Sequence, residues 1–175
     1  MEIKELISHP IGKTDITALV HNIKQDGIDE LYLLLFDSDK RTSDNAAWVM
    51  THLPLSDREI LEKKKNELID EALTTSSVTK QRLLLRLLDD VEISEEDVRT
   101  DFLDFCLNGI TNPNLTYGVR SLCMKLSFKQ CRHWPELLAE LRSTIELLEP
   151  HTLPSSLLCL RRNILKDIDT IKASK

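Results

Sequence analysis

Charged side chains recur at a fixed interval in this 175-residue chain: Asp44, Arg82 and Arg120 lie 38 residues apart. Arg162 joins the row if the last connection is four residues longer. A row of guanidinium groups can hold phosphate or carboxylate groups bidentately, because the planar fork of arginine matches both. The same spacing has a structural reading, in which Asp44 pairs with Arg82 and the other arginines cap carbonyls or acidic residues of adjacent repeats. The structural reading is preferred. The residues set aside as candidates for partner binding are Trp48, Arg82, Arg86, Arg120, Lys125, Arg161 and Arg162.

Catalytic chemistry finds little support in residue spacing. The glycines, Gly12, Gly27, Gly109 and Gly118, are too dispersed to cradle a phosphate, and neither a GK[ST] nor a GxGxxG motif is present. His9, His21, His52, His133 and His151 are scattered, with no HExxH and no recognisable nucleophile motif. Cys106, Cys123, Cys131 and Cys159 fall in or beside apolar stretches without a CxxC pair, so they read as small core hydrophobes. Cys131 and His133 come nearest to a metal pair but lack a second pair at zinc spacing. No metal and no cofactor is expected.

The elements that would position the arginine row are legible in the apolar residues around it. Ala46, Ala47 and Met50 become Leu84, Leu85 and Leu88, then Leu122, Cys123 and Leu126, at the same step of 38. Positions i, i+1 and i+4 share one face of a helix, and a step near forty residues is the length of a stacking helix-turn-helix repeat. With only four Gly and six Pro among abundant leucine, glutamate and lysine, the chain is expected to be all helical.

The pattern predicts helices at 57–73, 78–89, 95–108, 117–129, 135–148 and 155–172, paired as three antiparallel hairpins. Ser56 and Glu59 stand at the two positions of a capping box, and Ser94 to Asp97 offer a cap of the same logic. Glu59 and Lys63 make a favourable i, i+4 pair, and Pro135 suits a first helical position. Upstream, His9 to Gly12 and Asp26-Gly27 are expected to break short helices; Ile16, Leu19, Val20 and Ile23 form an amphipathic stripe between them. One domain over residues 1–175 is expected, with irregular helices to residue 41 and hairpins over 42–172.

Val119-Arg120-Ser121-Leu122-Cys123-Met124-Lys125-Leu126 resembles a second-helix pattern of the HEAT-like and armadillo-type superhelix proteins. Asn45 to Met50 looks like the matching segment of small, uncharacterised bacterial proteins with such folds. The resemblance, over about residues 42–172, implies a right-handed α-α superhelix: a short α-solenoid of stacked helical hairpins. These repeats share packing rather than chemistry, so it implies a non-enzymatic scaffold whose surface binds a protein partner. The alternative it leaves open is a nucleic-acid-binding or DNA-repair-type module with a basic concave face, since some HEAT-like glycosylases hold duplex that way.

Charge bears on that choice. The formal net charge is -6, yet residues 1–111 carry 13 basic and 23 acidic side chains while residues 112–175 carry 10 and 6. Such asymmetry could orient a charged partner or a neighbouring copy of the protein. The acidic total weighs against phosphate binding, which needs locally concentrated cations. No apolar run is long enough to cross a bilayer, and Met1 to Glu5 lack a secretory pattern, so a cytoplasmic location is expected.

Overall fold

In a computed structural model of the protein, described over residues 2–174, the chain is helical throughout, with no strand among the described residues. It gathers into two compact units, Met1–Val91 and Glu92–Lys175. The first holds α1 (Ile3–Ile7), α2 (Lys13–Asn22), α3 (Gln25–Leu34), α4 (Lys40–Met50), α5 (Glu59–Lys63), α6 (Lys65–Thr74) and α7 (Val78–Asp89). The second holds α8 (Thr100–Thr111), α9 (Tyr117–Cys131), α10 (Pro135–Glu146) and α11 (Ser155–Ala173). The all-α fold of helical hairpins expected from the spacing is the fold observed.

In the first unit α3 packs on α4, α6 packs on α7, and α4 packs on α7. In the second, the α8–α9 hairpin stacks on the α10–α11 hairpin, with α8 against α10 and α9 against α11. All nine apolar residues of the 38-residue step are buried: three on α4, three on α7 and three on α9. Burying a leucine of this kind stabilises by roughly 1.5–3 kcal/mol, which the short helices need because isolated helices under about 12–15 residues are marginal in water. The repeat also includes a polar detail. Asp39, Ser77 and Thr116 each accept a hydrogen bond at the N-terminus of α4, α7 and α9, from the backbone N–H of Thr42, Lys80 and Val119.

The helix expected at 57–73 is broken. The chain enters it through a 3-10 turn, Leu55–Arg58, and Lys64, at φ -113° and ψ 16°, separates α5 from α6. Ser56 donates to the neighbouring Asp57 and caps nothing, because Pro54 sets the start of the turn. Ser94 and Asp97 do close on each other, but around a 3-10 turn; α8 begins only at Thr100. Asp26-Gly27 is no break either. Gly27 lies inside α3, where a Cβ would stand 2.8 Å from the side chain of Ile23 and 3.0 Å from that of Ile3.

A second glycine fixes the α8–α9 hairpin. A Cβ on Gly109 would meet Cys123 Sγ at 2.5 Å, so the two helices are in contact through a missing side chain on one and a thiol on the other. Gly109→Ala should therefore lower stability by about 1–3 kcal/mol despite its better helix propensity. In a Cys123→Ala background the same substitution should cost clearly less, a coupling that urea denaturation of the four chains measures. Leu84→Ala, at a fully buried site, should cost about 2–5 kcal/mol in the same assay.

Candidate functional site

Each arginine and lysine singled out by spacing has a definite setting. Within the first unit, Trp48 is half-buried on α4 with its ring edge-on to His52 at 6.2 Å. Arg82 is exposed on α7, and Arg86, also exposed, lies 3.1 Å from Asp89 and 3.3 Å from Asp90. In the second unit, Arg120 donates from Nε to the carbonyl of Ile110 at 2.9 Å and lies over the ring of Tyr117 at 5.4 Å. That bond ties the start of α9 to the last turn of α8 within one hairpin, not to an adjacent repeat. Lys125 is half-buried on α9. Arg161 keeps Nε out of solvent without an acceptor among the described residues, while Arg162 is exposed, 3.8 Å from Cys159 Sγ.

The pairing of Asp44 with Arg82 does not form. Asp44 accepts from Ser77 Oγ and from Lys40 Nζ, each at 2.7 Å, so its carboxylate ties α4 to the residue that caps α7. Arg162 does not extend the row either. α9 begins at Tyr117 and α11 at Ser155, and buried Val119 and Leu126 correspond to buried Leu157 and Ile164, so the step of 38 continues to Leu158.

Three arginines that spacing does not single out make the firmest links. Arg58 donates to the carbonyls of Leu53 (2.8 Å) and Thr51 (2.7 Å) and pairs with Asp90, joining the end of α4 to the end of α7. Arg132 pairs with Glu92, and Arg142 on α10 pairs with Asp169 on α11. Nothing in their local sequence marks them, because their partners lie 23–40 residues away or on helix ends that only the fold brings near.

Three of the four thiols fit the core reading, and Cys159 departs from it. Cys106, Cys123 and Cys131 are buried, and Cys159 is exposed. Burial pushes the Cys106 thiol well above its ordinary value, with the neighbouring Cys123 adding to it, and burial pushes the Cys131 thiol up to about 12. Both stay protonated at neutral pH, which suits packing and not nucleophilic attack. His133 Nε2 lies 3.3 Å from the Ile93 carbonyl, and among the described residues no three His, Cys, Asp or Glu side chains converge as a metal set.

A sequence profile of the HEAT repeat domain matches residues 3–168. The chain belongs to the HEAT repeat domain family. No curated protein and no solved structure matches it. The family match takes in α1 to α3 as well as the later hairpins, and α3 packs on α4 within it. As a HEAT repeat protein the chain is a repeat scaffold, and no helix among its described residues is long and apolar enough to cross a membrane.

The arginine settings separate on substitution. Arg58→Ala removes two carbonyl caps and a largely buried pair, and should cost about 2–3 kcal/mol of unfolding free energy. Arg86→Ala, at an exposed pair, should stay within about 0.5 kcal/mol of the parent. Acid acts on the caps. Two bonds from Thr42 hold the Asp39 carboxyl below its ordinary 3.8, so its stabilisation is complete above that value and is lost as pH falls through the lower folded value. An NMR titration should find Asp39 below 3.8, and Thr42→Val should move it upward.

Proposed function

We propose that this HEAT repeat scaffold is a non-enzymatic interaction protein that binds a protein partner through the exposed surface of its hairpins. The observation that supports it most is the engagement of Arg86 and Arg120. Arg86 is flanked by two aspartates, and Arg120 is spent on a carbonyl and an aromatic ring. Guanidinium groups held in this way are poorly placed to release counterions from a phosphate backbone. Apolar side chains are meanwhile offered to solvent, among them Val78 and Tyr117 at the starts of α7 and α9. Tyrosine and tryptophan supply large contact area with little entropy to lose, so Tyr117 and half-buried Trp48 are suited to anchoring a protein surface.

The alternative is a nucleic-acid-binding module that uses Arg82, Arg86, Arg120, Lys125, Arg161 and Arg162, with Trp48 as an aromatic contact. It predicts affinity that falls steeply with salt and disappears in Arg82→Ala plus Arg120→Ala. Titration of labelled duplex across a salt series should find no binding even at low salt. Capture from native lysate should retain a discrete protein that Tyr117→Ala loses while the fold, read by circular dichroism, is unchanged. Duplex binding abolished by the double arginine variant would replace the protein-partner reading.

A further inference from the structure

The stripe of Ile16, Leu19, Val20 and Ile23 on α2 is only partly covered: Ile16 is buried, whereas Leu19, Val20 and Ile23 stay half-exposed. Together with Ile3 and Leu6 of α1, Leu19 and Ile23 wall an open cleft of about 600 Å³ among α1, α2 and α3. Gly27 lets Ile3 and Ile23 close over its floor. Asp15, Asp26 and Lys24 stand on the rim, and residues 2–36 carry six acidic and three basic side chains. The cleft is apolar inside and acidic on balance around it.

The last helix has the complementary character. Its buried face is Leu157, Ile164 and Ile168, but Leu158 is 38% exposed and Leu165 half-exposed on a different face, with Arg162 between them. Positions i, i+4 and i+7 share one side of a helix, so α11 offers two leucines flanked by Arg162 and Lys166. Over Ser155–Ala173 the helix carries four basic and two acidic side chains. Neither Arg162 nor Lys166 has a carboxylate partner among the described residues.

We propose that the cleft formed by α1, α2 and α3 receives the Leu158–Arg162–Leu165 face of α11 from a second copy of the chain. An amphipathic helix in an apolar groove is a recurrent mode of recognition, and here the charges match: acidic rim on one copy, basic flank on the other. The two patches are different surfaces, so a pair joined by one such contact still has one free cleft, on one copy, and one free α11, on the other. Those two free surfaces either engage each other in a closed pair or take up further copies. One helix in a cleft of this size makes a small interface, so the association belongs to the weak class.

This self-association is independent of the protein-partner reading, and its test uses no lysate. Light scattering after size exclusion, at loads up to roughly 500 µM as a weak contact demands, should show the wild type growing from monomer to dimer or larger with concentration. High salt should reduce that growth by screening the rim charges. Ala18→Asp, on an exposed residue lining the cleft, and Leu158→Asp, on α11, should each give a monomer with an unchanged circular dichroism spectrum. An equimolar mixture of the two variants should form a 1:1 dimer and nothing larger, because one supplies an intact α11 and the other an intact cleft. A wild type that stays monomeric, variants that associate as the wild type does, or a mixture that stays monomeric would each overturn the proposal.

Discussion

Short helices cannot stand alone, and this constraint shapes the chain more than any other. Except for α11, each helix is 15 residues or shorter, and α1 and α5 have only five. Hydrogen bonds within such segments do not offset the entropy of ordering them, so each helix is stable only where a neighbour covers its apolar stripe. The 38-residue step meets that need by bringing the same three positions to the same face on α4, α7 and α9. Polar groups then fix the register of what packing has brought together. Ser77 is the clearest case: one hydroxyl caps α7 and donates to Asp44 on α4.

Arginine plays a structural part in both units, and its geometry explains why. Arg58 spreads three contacts over two carbonyls and a carboxylate at the ends of α4 and α7. A lysine would present one compact charge there and could not satisfy divergent acceptors at once. Arg142 does comparable work in the second unit, reaching Glu146 on its own helix and Asp169 on the next. These links leave fewer free cations than a tally of the sequence suggests, which bears directly on whether nucleic acid is a suitable ligand.

What the sequence disclosed follows from the range of each interaction. The span of α7 was readable in full, and α9, α10 and α11 nearly so, since leucine periodicity and flanking prolines are local signals. The break at Lys64 is not, because a charged run of good helix formers carries no mark of a backbone turn there. Asp26-Gly27 reads as a turn by composition, yet the close approach of Ile3 and Ile23 makes Gly27 a packing residue. Matching charges at matching positions suggest an Asp44–Arg82 pair, but a cap hydroxyl and a lysine one turn away hold the Asp44 carboxylate. In the candidate site the bond from Arg120 to the Ile110 carbonyl is not legible, since the two meet only across the α8–α9 turn.

The distribution of sulfur gives the molecule a built-in reporter. Cys106, Cys123 and Cys131 are sealed in the second unit, with Cys123 wedged against Gly109, while Cys159 of the same unit faces solvent. An alkylating reagent can therefore modify Cys159 at once but must wait for α8 and α9 to part before it finds the others. The delay between the first and the later adducts measures how often this hairpin opens, a local free energy that global melting averages away.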